Sequence, residues 1–422
     1  MKKILALLLF ASISISAQNS IEQDIINIED KLIEWRRDFH QNPELSNREF
    51  KTAEKIAKHL KSLGLEVETN VAKTGVVGIL KGDNPGKVIA IRADIDALPV
   101  TERNDLPFKS EVKTTFLNTE TGVMHACGHD THTAILMATA EVFSKHKDKI
   151  NGTIKFIFQP AEEGPPPGEE GGAKLMIKEG VLENPKVDAI FGLHINSQTP
   201  VGVIKYKTGG IMASVERFVI NVKGKQTHGS QPWSGVDPIL ISAKIIDGLQ
   251  TIISREARLT DEAAVITVGK ITSGTRFNII PESAEMIGTV RTLDPKMRAM
   301  IERRMKEMVE TIAKAYGGEA TITFQNNTSI TYNDEALTAQ ILPSIQKVAG
   351  EENVQIMKAT TGGEDFSYFQ EKVPGVYFFL GGMTPGNAES FPHHTPDFKI
   401  DESGLLLGVK AFTQITLDYL NN

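Results

Sequence analysis

Two adjacent carboxylates carry the first sign of chemistry in this sequence. The apolar run at residues 156–158 predicts a buried strand, Pro160 ends it, and Glu162 and Glu163 follow. The carboxyl end of a strand in an α/β sheet opens into the crevice where ligands usually bind. Neighbouring carboxylates in a crevice repel each other unless a metal ion or a proton relieves them. We therefore expect one glutamate to bind metal and the other to transfer protons.

Further groups of metal-binding type follow other predicted strands, open a helix, or form a polar turn near the C-terminus. They are Asp94 and Asp96, Cys127 and His129, His194, and His393 with His394. Parallel strands bring their carboxyl ends to one edge of a sheet, so these side chains can converge. Thiolate, imidazole and carboxylate together suit zinc or a neighbouring transition ion. Because one tetrahedral ion needs fewer groups, we expect a pair of ions about 3.5–4 Å apart.

The elements that must position these groups alternate between helix and strand. Apolar periodicity predicts helices at residues 20–32, 134–143, 173–179, 335–348 and 403–419, with another starting near Ser46 and Asn47 and stopping at Gly64. Strands are predicted at residues 76–80, 88–91, 154–158, 187–193 and 376–380, with a turn at residues 83–86. His194 would follow its strand, and the proline-rich residues 165–172 would form a loop. This alternation predicts an α/β domain with a mixed, mostly parallel sheet flanked by helices.

The pattern changes between residues 207 and 324. Strand, helix, strand, strand, helix and strand follow one another there, which is typical of a small α+β domain of the ferredoxin-like type. The sequence thus predicts a catalytic domain formed by residues 18–206 and 325–422, with residues 207–324 inserted into it.

Composition excludes some classes of protein. The chain has 422 residues and a net charge of −7, which argues against nucleic-acid binding because phosphate contacts need a basic face.

Lys2 and Lys3 precede an apolar run, and Ala17 closes a stretch of small residues. This pattern predicts a signal peptide at residues 1–17 and an exported protein, and no later stretch is apolar enough to span a bilayer. The single cysteine, Cys127, excludes an internal disulfide.

As a set, several segments resemble the aminoacylase/carboxypeptidase family of dinuclear metallohydrolases, in particular its amidohydrolase branch of hippurate, N-acyl-amino acid and auxin-conjugate hydrolases. They begin with Arg92-Ala93-Asp94-Ile95-Asp96, Met124-His125-Ala126-Cys127-Gly128-His129-Asp130, Gln159-Pro160-Ala161-Glu162-Glu163-Gly164 and Gly192-Leu193-His194. Gly235-Val236-Asp237-Pro238-Ile239, Phe277-Asn278-Ile279-Ile280-Pro281, Gly363-Glu364-Asp365-Phe366 and His394-Thr395-Pro396 follow in the family's order.

The resemblance implies a role for each matching residue. The metal ligands would be Cys127, His129, Glu163, His194 and His394, holding two divalent ions, with manganese or zinc preferred and cobalt or nickel as alternatives. Glu162 would be the general base for a metal-bridging hydroxide, and Asp96 would orient a ligand or modulate that base. Asp94 takes a position that is a metal-binding histidine in other branches.

The resemblance also implies that the inserted domain completes the site, acting as a lid and forming the dimer. His228 would stabilise the oxyanion from the partner subunit of a homodimer. Asn278, Arg291, Gly363 and Glu364 would hold the carboxylate end of a small N-acyl amino acid or peptide. The chain departs from the family in the long loop at residues 165–172, where a shorter glycine-rich turn is expected, and this leaves the substrate open.

Three alternatives to an amidohydrolase remain at this point. A carboxypeptidase or dipeptidase could use the same scaffold, because the substrate pocket decides between these activities. A thiol hydrolase could use Cys127 with His129 as its base, and it would survive a chelator. A non-catalytic binding protein is disfavoured, since Glu162 and all the ligands are present.

Overall fold

The computed structural model describes residues 21–384, 386 and 391–421, apart from the side chains of residues 326 and 327. The predicted signal peptide at residues 1–17 lies outside the described residues. Within them, no helix combines the length and hydrophobicity that a membrane span requires. By its contacts the chain divides into a larger and a smaller compact unit.

Eighteen strands are found in the described residues. They are β1 (Glu66–Val71), β2 (Gly75–Lys81), β3 (Asn84–Asp94), β4 (Lys113–Phe116), β5 (Thr119–Gly122), β6 (Asn151–Gln159), β7 (Ala189–Pro200), β8 (Ile204–Tyr206), β9 (Gly209–Met212), β10 (Val215–Lys223), β11 (Thr227–His228), β12 (Ala264–Ser273), β13 (Ile279–Ile280), β14 (Ser283–Thr292), β15 (Glu319–Thr328), β16 (Thr331–Asn333), β17 (Val354–Ile356) and β18 (Gly375–Met383).

The helices alternate with these strands. Residues 21–27 are helical and lead into α1 (Glu29–Gln41). The next helices are α2 (Phe50–Ser62), α3 (His129–Ser144), α4 (Gly172–Lys178), α5 (Pro238–Thr251), α6 (Pro295–Ala315), α7 (Glu335–Ala349), α8 (Ser367–Gln370) and α9 (Leu405–Asn421).

The larger unit is built on one eight-stranded sheet with the order β1-β2-β6-β3-β7-β18-β8-β17. It comprises the described residues up to Thr208, Asn333–Met357, and those from Tyr368 onward. The central strands β6, β3, β7 and β18 run parallel to one another, whereas β1, β2 and β8 add antiparallel pairs. Helices α1, α2, α3, α7 and α9 contribute to its hydrophobic core. The predicted α/β class with a mixed, mostly parallel sheet is confirmed.

Helix α3 lies at the centre of this core. Every residue from His129 to Phe143 is buried, which the Ala-, Leu- and Met-rich sequence of the helix allows because no face must meet water. On the neighbouring strand β6, the side chains of Phe156 and Phe158 are fully buried. The buried helix therefore fixes the residues at its start, and the buried strand fixes the residues that follow it.

The structure corrects three predicted boundaries. Strand β3 begins at Asn84, so most of the predicted turn at residues 83–86 is an irregular strand start. Helix α2 begins at Phe50, not near Ser46, because Asn47 adopts a left-handed conformation with φ 60° that interrupts a helix. His194 lies within β7, since that strand continues pairing with β18 beyond residue 193.

The smaller unit comprises Gly209–Tyr332 and Lys358–Ser367. Its antiparallel sheet has the order β12-β14-β10-β15, and its core includes one face of α5 and α6. Both helices start with proline after a capping aspartate; Asp237 accepts from the N–H of Ile239 and Asp294 from that of Met297. The insert was predicted at residues 207–324. The unit in the structure continues to Tyr332 and also includes Lys358–Ser367, which the prediction left out. The predicted role of this unit as a lid and dimer interface stays a prediction.

Candidate metal centre

Five predicted ligands of the larger unit form one cluster. Sγ of Cys127 lies 3.4 Å from Nε2 of His194 and 3.2 Å from Nε2 of His394. Oε1 of Glu163 lies 3.1 Å from Nε2 of His394 and 4.0 Å from Nε2 of His129. Their donor atoms fall into one set of Cys127, His129 and His194 and another of Cys127, Glu163 and His394. The two sets share the thiol, so they are adjacent.

A glycine allows Cys127 and His129 to reach this cluster together. Gly128 has a φ of 92°, which non-glycine residues rarely adopt, and it precedes the first residue of α3. A β-carbon there would lie 2.3 Å from Cγ2 of Ile195 on β7. The turn therefore needs glycine both for its backbone conformation and for its close approach to the strand that carries His194.

Hydrogen bonds fix the tautomers of two histidines. Nδ1 of His129 donates to the backbone oxygen of Asp96 at 2.9 Å, and Nδ1 of His194 donates to the backbone oxygen of Ile195 at 2.6 Å. Since a carbonyl oxygen only accepts, Nδ1 carries a hydrogen in each ring, so Nε2 is the nitrogen whose lone pair can face an ion once it is unprotonated. Nε2 of His129 is buried and has no hydrogen-bond partner among the described residues. A divalent ion fits this orphaned atom and the mixed sulfur, nitrogen and oxygen donors around it.

The electrostatics favour a cation over a reactive thiol. Burial, followed by Glu163 and Glu162, raises the pKa of Cys127 well above its usual range. Burial opposes the charged form of His129, but Asp94 and Asp96 outweigh it and raise the pKa of His129 to about 10. A nucleophilic cysteine needs the opposite shift, so the surroundings of Cys127 disfavour a thiol hydrolase. They suit a thiol whose proton is displaced by a metal ion.

Asp94 is held by buried cationic and imidazole groups. Its Oδ2 accepts from Nη1 of Arg92 at 2.7 Å, and its Oδ1 accepts from Nδ1 of His132 at 2.5 Å. Nε2 of His132 in turn accepts the backbone N–H of Ile195 at 2.8 Å. These contacts give Asp94 and His132 a supporting role beside His194, and His132 was not among the predicted site residues.

Asp96 connects His129 to the pair of glutamates. Its Oδ1 lies 3.2 Å from Nδ1 of His129, and its Oδ2 accepts the backbone N–H of Glu163 at 3.1 Å and the hydroxyl of Ser46 at 2.7 Å. Burial raises the pKa of Asp96, but the bond and charge of His129 outweigh it and lower the pKa overall. Oε2 of Glu162 lies 4.0 Å from Nε2 of His129. Both glutamates thus reach the same imidazole from adjacent positions.

His393 and the long loop also have defined surroundings. Nδ1 of His393 donates to the backbone oxygen of Cys127 at 3.2 Å, and its Nε2 accepts the N–H of Ser197, so this ring braces the Cys127 turn. The loop is confirmed over residues 165–171, and the last residue of the predicted loop, Gly172, is the first residue of α4. The loop's Glu169 pairs with Arg48 and Lys73, which tie the loop to the larger unit.

In the smaller unit, the structure brings His228 and Asn278 together. The short strands β11 and β13 pair His228 with Ile279, and the backbone oxygen of Asn278 accepts from Gly229 at 2.8 Å. Nδ1 of the exposed His228 accepts the N–H of Ser230 at 3.1 Å. A backbone N–H only donates, so the hydrogen of the neutral ring is on Nε2, which can donate to an oxyanion.

The other predicted substrate contacts also belong to the smaller unit. Arg291 on β14 is partly buried, which lowers its pKa, and the described residues place no carboxylate within ion-pair distance of it. It lines a concave part of the sheet with Arg217 and Lys270. Glu364 is buried, and its Oε1 accepts the N–H of Phe366 at 2.9 Å. Gly363 packs so closely that a β-carbon would lie 2.3 Å from Cγ2 of Val215.

This donor cluster at the edge of an α/β sheet belongs to a metal-dependent hydrolase that acts on amide or peptide bonds. The chain belongs to Peptidase family M20/M25/M40, whose model matches residues 90–418. The resemblance drawn from the sequence motifs is therefore confirmed.

Relatives named for different activities match nearly the whole chain. Thermostable carboxypeptidase 2 of Saccharolobus solfataricus is 42% identical over 95% of this chain and 98% of its own. N-acetylcysteine deacetylase of Bacillus subtilis is 39% identical over 92% of this chain and 96% of its own. The crystal structure of the Bacillus subtilis YXEP protein, described as a dinuclear metal binding peptidase, superposes with a TM-score of 0.78 at 37% identity, covering 94% and 99% of the two chains.

We expect ion binding to release protons. The raised pKa values of Cys127 and His129 keep both groups protonated at pH 7 in the ion-free protein, whereas ligands must be deprotonated. Affinity for Zn²⁺ should therefore rise with pH, with about two protons released per chain at pH 7. Calorimetric titration in two buffers of different ionisation enthalpy measures this release. A His59→Gln control, in α2, should release the same number, and a pH-independent affinity without proton release would contradict the expectation.

Proposed function

We propose that the protein is an amidohydrolase that releases amino acids from N-acyl amino acids or similar small N-acylated or peptide substrates. The observation that carries this proposal is the pair of 4.0 Å distances from Nε2 of His129 to Glu162 and to Glu163. One carboxylate can complete a donor set while its neighbour remains within reach of a water beside that set. This is the arrangement that metal-assisted hydrolysis needs.

The larger unit would hold two divalent ions. Cys127, His129, Glu163, His194 and His394 would be the ligands, and manganese or zinc fits their mixed sulfur, nitrogen and oxygen donors. When bound, the ions would lower the pKa of a water and polarise the substrate carbonyl. Asp96 would keep the ring of His129 in the tautomer whose Nε2 faces the ion.

Glu162 would move the protons of the reaction. Its carboxylate would take a proton from the attacking water and return it to the departing amine, so that no free amide anion forms. The side chain is 9% exposed, so few waters compete with the reacting one. His228, whose Nε2 carries the hydrogen, would donate to the oxyanion from the partner subunit of a homodimer.

Arg291 would recognise the substrate's carboxylate. A partly buried guanidinium without an acidic partner among the described residues is suited to an anionic ligand. Asn278, Gly363 and Glu364 would complete this pocket. A carboxypeptidase or dipeptidase activity stays the rival, because the relatives carry both kinds of name and both substrate types end in a carboxylate.

A substrate panel tests the proposal. Purified protein would be stripped with a chelator, reloaded with Mn²⁺, Zn²⁺, Co²⁺ or Ni²⁺, and assayed against N-acyl amino acids and dipeptides by detection of released amino acid. We expect hydrolysis only after reloading, with N-acyl amino acids preferred. Preference for unacylated dipeptides would favour the rival, and activity that survives the chelator would refute metal dependence.

Glu162→Gln should lower kcat by about 10²–10⁴-fold, because the amide cannot accept the proton of water. Ion content, measured by mass spectrometry of the purified variant, should stay at the wild-type level, since Glu162 is not a proposed ligand. Glu163→Gln is the matched comparison and should lose ion as well as activity. Loss of ion from the Glu162 variant instead would mean that the two roles are reversed.

His228→Ala should lower kcat by about 10²–10³-fold, as expected for loss of one oxyanion donor. Mixing this variant with Glu162→Gln tests whether His228 acts across a dimer. In a mixed dimer, the subunit with Glu162 intact would receive His228 from the other chain, so activity should return when the two inactive proteins are refolded together. Absence of complementation in a verified mixed dimer would show that His228 does not act from the partner subunit.

A further inference from the structure

The segment Ser46–Glu49 makes unexpected contacts near the proposed catalytic base. It lies before α2, and the left-handed Asn47 prevents it from joining that helix. Its side chains are thereby free to point away from the helix. Two of them, those of Ser46 and Glu49, bond to groups around the turn that follows β6.

Glu49 binds the backbone N–H of Ala161, the residue before Glu162. One carboxyl oxygen, Oε1, accepts the backbone N–H of Ala161 at 2.9 Å, and the other is 2.5 Å from the hydroxyl of Thr74. The side chain is fully buried. Burial and the charge of Asp96 raise the pKa of Glu49 to about 8. Burying a carboxyl group disfavours folding unless its hydrogen bonds offset the cost. The hydrogen bond to the Ala161 N–H therefore explains the presence of Glu49 better than a contribution to stability does.

The turn at Ala161 needs such a partner. Ala161 has a φ of 53°, a left-handed conformation that non-glycine residues rarely adopt. Strand β6 ends at Gln159, so the Ala161 N–H continues no strand ladder. The acceptor that Glu49 supplies satisfies this buried donor and holds the strained residue directly before Glu162.

A second carboxylate acts on the other side of Glu162. Oδ2 of Asp96 accepts the N–H of Glu163 at 3.1 Å, and the hydroxyl of Ser46 donates to the same oxygen at 2.7 Å. The peptide N–H groups before and after Glu162 are thus both held by side chains, one of them from the Ser46–Glu49 segment and the other supported by it. These two bonds hold the backbone on both sides of Glu162 and so restrain the directions of the two glutamate side chains.

We propose that Glu49 is a positioning residue that sets the directions of Glu162 and Glu163 through the Ala161 peptide. The proposal rests on the proton and ligand roles proposed above for these glutamates. Loss of the Glu49 carboxyl would release the turn, so that both side chains leave their productive positions while the remaining ligands keep theirs.

Substitution of Glu49 separates this role from simple structural support. Glu49→Ala should weaken Zn²⁺ affinity by about 10–100-fold, as for loss of other groups that orient a ligand. At saturating ion, kcat should fall by about 10²-fold with a much smaller change in KM, because the base is misplaced. Glu49→Gln retains an oxygen that can accept from Ala161 and should restore both quantities to near the wild-type values. Affinity would be measured by competition with a chromophoric chelator.

Glu141→Ala is the matched control. Glu141 is also buried in the larger unit, where it pairs with Lys31, so this variant should lose thermal stability without changing ion affinity or kcat. Wild-type affinity and kcat in a folded Glu49→Ala protein would overturn the proposal, as would a Glu49→Gln protein impaired as strongly as Glu49→Ala. If the wild-type protein cleaved no amide, the proposed function would fail, whereas ion affinity would still decide the role of Glu49.

Discussion

The structure of the larger unit depends on the cost of holding several acidic groups together away from water. Five acidic groups lie close together around two buried imidazoles. They are Asp94, Asp96, Glu162, Glu163 and the Cys127 thiol. Like charges at such separations destabilise one another strongly where the dielectric constant is low. Arg92 offsets part of this repulsion by pairing with Asp94. Burial, with Glu163 and Glu162, raises the pKa of Cys127, and Asp94 and Asp96 raise that of His129, so both groups hold protons in the ion-free protein and divalent cations suit the cluster.

Sheet topology makes this concentration of charge possible. Strands β3 and β6 are parallel neighbours in the sheet, so Asp94 and Gln159 lie side by side where the strands end. The buried helix α3 begins beside them, and β7 brings His194 from the other side of β3. Each element is stabilised mainly by its apolar residues. The proposed metal ligands on these elements lie at or just beyond element ends or, for His194, in a strand interior beside them.

Much of this arrangement was predictable, and the exceptions have physical reasons. Buried strands and α3 leave strong apolar patterns, so the residues that follow or begin them could be located. The division of roles between Glu162 and Glu163 came only from family resemblance, because periodicity does not distinguish neighbours. Glu49 left no signal, since its bond to Ala161 joins residues 112 positions apart. The inward turn of Ser46–Glu49 depends on such distant contacts, whereas local spacing predicted an ordinary helix start.

The position of His394 has a consequence for how the protein is made. Its ring meets the thiol of Cys127 across 267 residues of sequence, within a chain of 422. Until His394 has been synthesised, the second donor set lacks a member. The complete centre can therefore form only after His394 has left the ribosome, so the metal supply that matters is that of the compartment where His394 folds against Cys127.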